Sequence, residues 1–384
     1  MTEKLYYADS HLFDFEAEVL ETRATKRGWE ARLDRTAFFP EGGGQSADTG
    51  FIGSARVLDV HERDGEIWHL CGKEPERGLN ACRVDSEQRL RRMQNHSGEH
   101  VFSGLVHSMY GAENVGFHMA DECMTIDFDK ELSRDELRET ERRANLAVRA
   151  NLPVRAFFPE PAELAVLEYR SKKELAGEVR IVEIEGIDRC ACCAPHVSDT
   201  GEIGVIKLLT AERHRGGVRI TLVCGMDAFE DYARRQDAAA HISAALSAKR
   251  DEIAEAVDRL LDGETKLKER VSALGAELAA VKAASAEVTD GNICMFDDIL
   301  GDVALRELAD ALADKCGGAA AVFSGSDADG YRYVIVSHRA DLRAHTREIN
   351  AGVKGRGGGR ESILQGSASA SAAEIENFFH DYKI

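Results

Sequence analysis

Proline is scarce, six in 384 residues, and tryptophan scarcer at two, while glycine numbers 34. So little proline excludes a proline-rich linker architecture and points to local uses for glycine. No run of about 18 apolar residues occurs, so no membrane-spanning helix is expected. The opening MTEKLYYADSHLFDFE lacks an apolar stretch and carries early acids, which argues against a secretory leader. Positive charge is in deficit: 49 lysines and arginines stand against 68 aspartates and glutamates, a formal charge of −19. Nucleic-acid binding through bulk charge is thereby excluded, and any such contact must come from local basic clusters. Nine cysteines are too dilute for a disulfide scaffold and leave one unpaired, so a reducing, cytoplasmic setting is the simpler reading.

The length implies two to three domains at roughly 100–200 residues each, and the pattern along the chain predicts an α+β multidomain protein. Residues 1–85 read as short strands. Trp29, Ala31 and Leu33 alternate with Glu30, Arg32 and Asp34, and an Asp64-Gly65 turn separates two apolar runs, so a small antiparallel β-barrel is expected. Residues 86–226 mix helices and strands. A helix is predicted over 86–110 with Ser86 as its cap, and a second after Ser133, where S-R-D-E makes a capping box. Residues 227–288 turn strongly helical. Ile253, Val257, Leu260, Leu267, Val271, Leu274, Leu278 and Val281 step by fours and threes, with Glu264 breaking the seam. That seam suits a coiled coil, a helical hairpin or one long amphipathic helix, and leaves a homodimer through this segment open. Residues 289–384 form a C-terminal α/β unit, with two β-rich runs around Asp329-Gly330 and helices on either side.

Two segments carry the strongest chemical signal. HSGEH puts His96 and His100 one helical turn apart on the same face. About 90 residues on, CACCAPH supplies Cys192 and His196, where Pro195 disfavours a regular helix and a turn would aim both groups at one point. Two such imidazoles with a thiolate and a third imidazole form the sulfur–nitrogen set that zinc prefers, so one Zn2+ per chain is expected. Cys190 and Cys193 also make a CxxC redox pair, and HSGEH also fits the H-x-x-E-H of inverted zinc proteases with Glu99 as base. The protease reading needs a further acidic ligand and leaves CACCAPH idle.

Glycine clusters add two loops. FFPEGGGQSADTG, residues 38–50, lets backbone turn tightly at Gly42–Gly44. In KGRGGGR, Lys354, Arg356 and Arg360 flank Gly357, Gly358 and Gly359, an arrangement suited to phosphate contacts. Arg89, Arg91 and Arg92 form a second basic stripe, and Arg213, His214, Arg215 and Arg219 a third.

In this order, FFPEGGGQSADTG, HSGEH, NVGFHMADECMTIDF, CCAPH, TGEIGVIKLL…GVRITLV and KGRGGGRESILQGSA resemble the editing half of alanyl-tRNA synthetase. The chain is similar to the free-standing alanyl-tRNA editing proteins of the long type, although the family more often reads CGGTH where this chain has CCAPH. The resemblance covers nearly the whole chain. It implies a zinc-binding editing domain over 86–226 and a DHH-associated, tRNA-binding domain over 289–384, its contacts falling on the KGRGGGR residues. It also implies hydrolysis in trans of tRNA(Ala) mischarged with serine, and secondarily glycine, because no ATP-dependent ligase domain precedes the barrel. Gln45 and His118 are then candidates for holding the acyl group or water. Glu99 stands where the synthetase usually has a small hydroxyl residue. A zinc-containing tRNA-binding protein without activity is the alternative reading.

Overall fold

Alternation of apolar and polar residues builds the first element group. In the strand Ala55–Arg63, Ala55 and Val57 are buried while Arg56 and Leu58 are exposed, the two-residue period of a sheet with one wet face, and a bulge after Val57 returns Val60 to the buried side. The computed structural model describes residues 1–120, 123–171 and 178–384. Short β1 (Glu3–Lys4) pairs in parallel with β4 (Arg35–Thr36). Strands β2 (Asp14–Thr25), β3 (Gly28–Leu33), β5 (Gly50–Ile52), β6 (Ala55–Arg63), β7 (Glu66–Cys71) and β8 (Gly78–Val84) close into a barrel in the order β2-β3-β7-β6-β5-β8. Leu33, Phe38, Phe39, Ile52 and Ile67 fill it.

Helix α1 (Ser86–Tyr110) follows. Its cap is Asp85, whose carboxylate accepts from Gln88 N at 3.1 Å, so the expected cap at Ser86 shifts back by one residue. Strands β9 (Asn114–Met119) and β10 (Met124–Phe128) come next; residues 121 and 122 of the NVGFHMADECMTIDF stretch lie outside the described residues. Helix α2 (Arg134–Ala150) starts at the Ser133 capping box. Then come β11 (Val154–Phe157), a one-turn α3 (Pro161–Leu164), β12 (Ile181–Ile184), β13 (Asp188–Ala191), β14 (Ile206–His214) and β15 (Gly217–Cys224). Strands β14-β15-β10-β9 form one sheet and β11-β12-β13 another. Phe102, Val106, Ile126, Ile220 and Leu222 lie in one core that α1, α2 and the four-stranded sheet share.

The chain divides into two units, Met1–Ala238 and Ala239–Ile384. In the first, barrel and α1 are fastened by Arg89 of α1, fully buried, whose Nε donates to Asp48 Oδ2 at 2.9 Å and whose Nη1 donates to Ser10 O at 3.0 Å. Arg89 is therefore a structural tie and not part of a phosphate-binding stripe. Helix α4 (Gly225–Leu246) ends this run of elements.

In the second unit, α5 (Ile253–Ser285) is followed by β16 (Ile293–Phe296), α6 (Asp302–Ala313), β17 (Ala320–Ser326), β18 (Gly330–Val336), α7 (Leu342–Gly352), β19 (Gly355–Gly359), β20 (Ile363–Ala368) and α8 (Ala372–Asp381). The sheet order is β16-β17-β18-β20-β19. Ala279 and Ala283 of α5 with Leu305, Leu308 and Leu312 of α6 share a core with Val322 and Val334. A second core joins Phe323 and Ile335 to Ile349, Ile375 and Phe379. The α5–α6 contact runs over small side chains, and a Cβ on Gly275 would sit 3.2 Å from Ala304 Cβ. Most of the four-three seam stays exposed, from Leu260 through Leu267 and Val271 to Leu274. The KGRGGGR stretch is not a loop: Gly355–Gly359 is an edge strand paired with β20.

Candidate metal centre and its cleft

A helical turn separates His96 from His100, and the two are buried where α1 passes under the segment after β13. That close passage needs glycine at 104, since a Cβ there would fall 2.6 Å from Asp188 Cβ. Beyond β13 the chain turns through Cys192–His196, held by Arg180, whose Nη1 donates to Cys192 O at 3.1 Å and Ala194 O at 2.8 Å. One ligand-type atom from each of His96, His100, Cys192 and His196 comes within 4.8 Å of the others.

The distances match a small shared cation. Cys192 Sγ lies 3.4 Å from His96 Nε2 and 3.4 Å from His196 Nε2. Zinc bond lengths at tetrahedral angles place such donor atoms about 3.4–3.6 Å apart. Each imidazole is also held by its other nitrogen: His96 Nδ1 by Gln45 Oε1 at 2.9 Å, His100 Nδ1 by Asp188 Oδ2 at 2.9 Å, and His196 Nδ1 by Ser97 Oγ at 3.1 Å. With Nδ1 so occupied, Nε2 is the nitrogen left to bind a metal, and the ring cannot swing away from it.

Electrostatics agree with the donor set. Burial, reinforced by His100 and His96, pulls His196 well below the ordinary imidazole range, so it is neutral and ready to ligate. Burial pushes the Cys192 thiol up, with Cys193 adding to the rise. A divalent cation supplies the countercharge that makes a thiolate there favourable. Burial would raise Asp188 too, but hydrogen bonds from His100 and Arg170 outweigh it and hold the carboxyl below its usual range. His100, Asp188 and Cys190 form a second close set. Arg170 already answers that acid, at 2.7 and 2.9 Å from its two oxygens.

A cleft of about 540 Å3 opens beside the ligands, walled by Gly43 and Gly44, Phe117, Phe158, Tyr7 and Arg180. Gly43 and Gly44 have φ of +63° and +86°, the positive values that a tight two-residue turn between Gly42 and Gln45 demands. The turn aims Gln45 inward, onto His96. His118, by contrast, is exposed on β9 and does not line the cleft, whereas its neighbour Phe117 does. Glu99 is buried, with Oε1 accepting from Ser103 Oγ at 2.7 Å and Asn114 Nδ2 at 2.5 Å. A larger cavity, about 850 Å3, lies between α2 and β14. Its charges answer each other, as in Lys207–Glu141 and Arg213–Glu131, so it offers no comparable chemistry.

The basic clusters are largely neutralised. Arg91 pairs with Asp227 and Glu230, Arg92 Nη1 donates to Ala47 O, Arg219 pairs with Asp127, and Lys354 with Glu374. Arg356 and Arg360 stand exposed. None of the nine cysteines is disulfide-bonded. Sequence reasoning missed Asp188, Ser97 and Arg180. An acid four residues before Cys192 was the available signal for the first; the others emerge only from the three-dimensional packing.

Residues 179–221, which include Arg180, Asp188, Cys192 and His196, match the family described as the threonyl and alanyl tRNA synthetase second additional domain. The chain is 29% identical over 390 residues to an alanine–tRNA ligase of Ignicoccus hospitalis, covering 97% of this chain and 42% of the relative. The figures for alanine–tRNA ligases of Halobacterium salinarum and Methanopyrus kandleri are 33% over 362 residues (87% and 38%) and 33% over 393 residues (95% and 42%). The C-Ala domain of Aquifex aeolicus alanyl-tRNA synthetase matches with 22% identity over 25% of this chain and 94% of that domain, at a TM-score of 0.21. This protein is related to alanine–tRNA ligases, which it matches over nearly its whole length. It spans about two fifths of the length of the curated relatives it matches.

Proposed function

We propose that this chain is a trans-editing hydrolase that deacylates mischarged tRNA(Ala), chiefly Ser-tRNA(Ala) with Gly-tRNA(Ala) second, and that His96, His100, Cys192 and His196 hold one Zn2+. The observation that carries this reading is the convergence of four ligand atoms, from segments about 90 residues apart, at the edge of a cleft. When bound, zinc would supply positive charge next to the ester carbonyl. Four protein ligands leave no open coordination position, so this reading gives the protein the work of placing ester and water, which suffices for an already activated ester. Gln45, Asp188 and Ser97 fix the three imidazoles. The glycine turn lets the acyl end approach the backbone closely. Water adds to the acyl carbon, the ester C–O bond breaks, and the proton ends on the ribose oxygen, giving free amino acid and uncharged tRNA.

Tightly held Glu99, with no acidic group among the four converging ligands, favours this reading over an H-x-x-E-H protease. The exposed seam of α5 supports pairing of two chains, and the exposed Arg356 and Arg360 beside Gly357–Gly359 support a tRNA contact at that edge. Incubation with Ser-tRNA(Ala) tests the function. Deacylation supports it, binding without turnover points to a non-catalytic tRNA-binding protein, and casein cleavage with inert tRNA points to a protease.

A further inference from the structure

A guanidinium removed from water is costly unless acceptors or a countercharge replace its hydration. Arg180 is only 7% exposed, yet its described polar partners are two backbone carbonyls and no carboxylate. Both bonds come from Nη1. Its Nε and Nη2 meet no acceptor among the described residues, and Arg180 lines the cleft. Its Cζ lies 5.3 Å from the Tyr7 ring centroid. Tyr7 in turn packs edge-on against Phe158, centroids 5.4 Å apart, and Phe158 remains 47% exposed in the same wall. Glu178 shares the cleft but is exposed, where water screens it.

A planar cation with unused donors is matched to phosphate, and an exposed aromatic ring such as Phe158, backed by half-buried Tyr7, is matched to a nucleobase. We propose that Arg180 and the Tyr7–Phe158 pair form a nucleotide-recognising wall, the guanidinium taking the phosphate of a terminal nucleotide and the rings its base. This rests on the reading of the cleft as a site for an acylated RNA end. It adds which side chains seat that end and why a nucleoside ester alone is a poorer ligand.

The test uses the full chain loaded with zinc and two probes: adenosine carrying serine through a non-hydrolysable 3′-amide, with and without a 5′-phosphate. Wild type binds the phosphorylated probe about tenfold more tightly. Arg180→Gln erases that difference, while any loosening of the Cys192–His196 turn that Arg180 holds lowers affinity for both probes alike. Arg180→Lys, which keeps the charge but not the fork, retains part of the difference and covers the case in which the glutamine variant fails to fold. Phe158→Ala weakens both probes about tenfold and keeps the difference between them. Zinc content and melting temperature, measured alongside, report whether the Cys192–His196 turn is intact. Equal affinity of wild type for the two probes, or full discrimination by folded Arg180→Gln, overturns the wall. If wild type deacylates Ser-tRNA(Ala) but ignores the phosphate, the wall alone falls; if it neither deacylates nor binds either probe, the proposed function falls as well.

Discussion

Burial acts in opposite directions on two groups of the CCAPH turn, raising the Cys192 thiol and lowering the His196 imidazole. Both groups are thereby held neutral until a cation draws out the thiolate. Asp188 orients His100 through a single 2.9 Å bond. Asp188→Asn keeps the shape but loses the charge, so zinc affinity should fall about 10–100-fold in a chelator competition. Unchanged affinity would mean that the carboxylate serves only Arg170. A second residue gives a pH prediction. His69 is sealed in the barrel between Thr36 Oγ1 at 2.9 Å and Ala31 O at 3.2 Å. Burial lowers its pKa to about 4 from 6.5, so between those values the unfolded chain binds the extra proton. Its contribution is therefore complete above about pH 6.5 and is lost as pH falls toward 4, up to about 3 kcal/mol. Thermal melts from pH 7 to 5 should show a drop that is smaller in His69→Gln; parallel curves would exclude His69 as the source.

Among elements, α1 does the most for the site: its middle turns carry His96 and His100, its first turn the Arg89–Asp48 tie, and Gly104 the close approach to Asp188. Gly104→Ala forces a methyl into Asp188 and Ile187, so it should cost about 1–3 kcal/mol by denaturant melt and weaken zinc binding along with stability. A stable variant with full zinc affinity would show that the packing yields easily there. Elements built on local rules were legible in the chain. The Ser133 capping box, the Asp64-Gly65 and Asp329-Gly330 turns and the strand alternation all depend on neighbours a few residues apart. The edge strand Gly355–Gly359 was not legible, because four glycines in five residues give no side-chain period and its order comes from pairing with Ile363–Ala368. The seam of α5 was legible as a pattern, but not what it faces: the core shared with α6 takes only Leu278 from the seam and otherwise uses Ala279 and Ala283, off it.

At the scale of the whole molecule, net charge and local charge tell different stories. The −19 balance disfavours RNA at large, and most of the basic stripes visible in the sequence are spent on ion pairs within the fold. Such pairing is set by distant chain segments, which is why Arg89 read as a surface cation and proved to be a buried tie. The convergence of His96, His100, Cys192 and His196 was legible because each half-motif has helical or turn spacing; Asp188, Ser97 and Arg180 were not, because they join the site only through packing. Arg356 and Arg360 remain exposed at the sheet edge. Substituting both by alanine should weaken tRNA binding and reduce its dependence on log salt by about one to two units of slope, while zinc content holds. An unaltered slope would remove that edge from the RNA contact. The most direct measurement of the central claim is release of serine from Ser-tRNA(Ala) by the zinc-loaded chain and by His100→Ala, with bound metal quantified in both. Rapid release by the first, and loss of both metal and release in the second, is the predicted result. Equal release by a metal-free variant, or none from the loaded wild type, would contradict it.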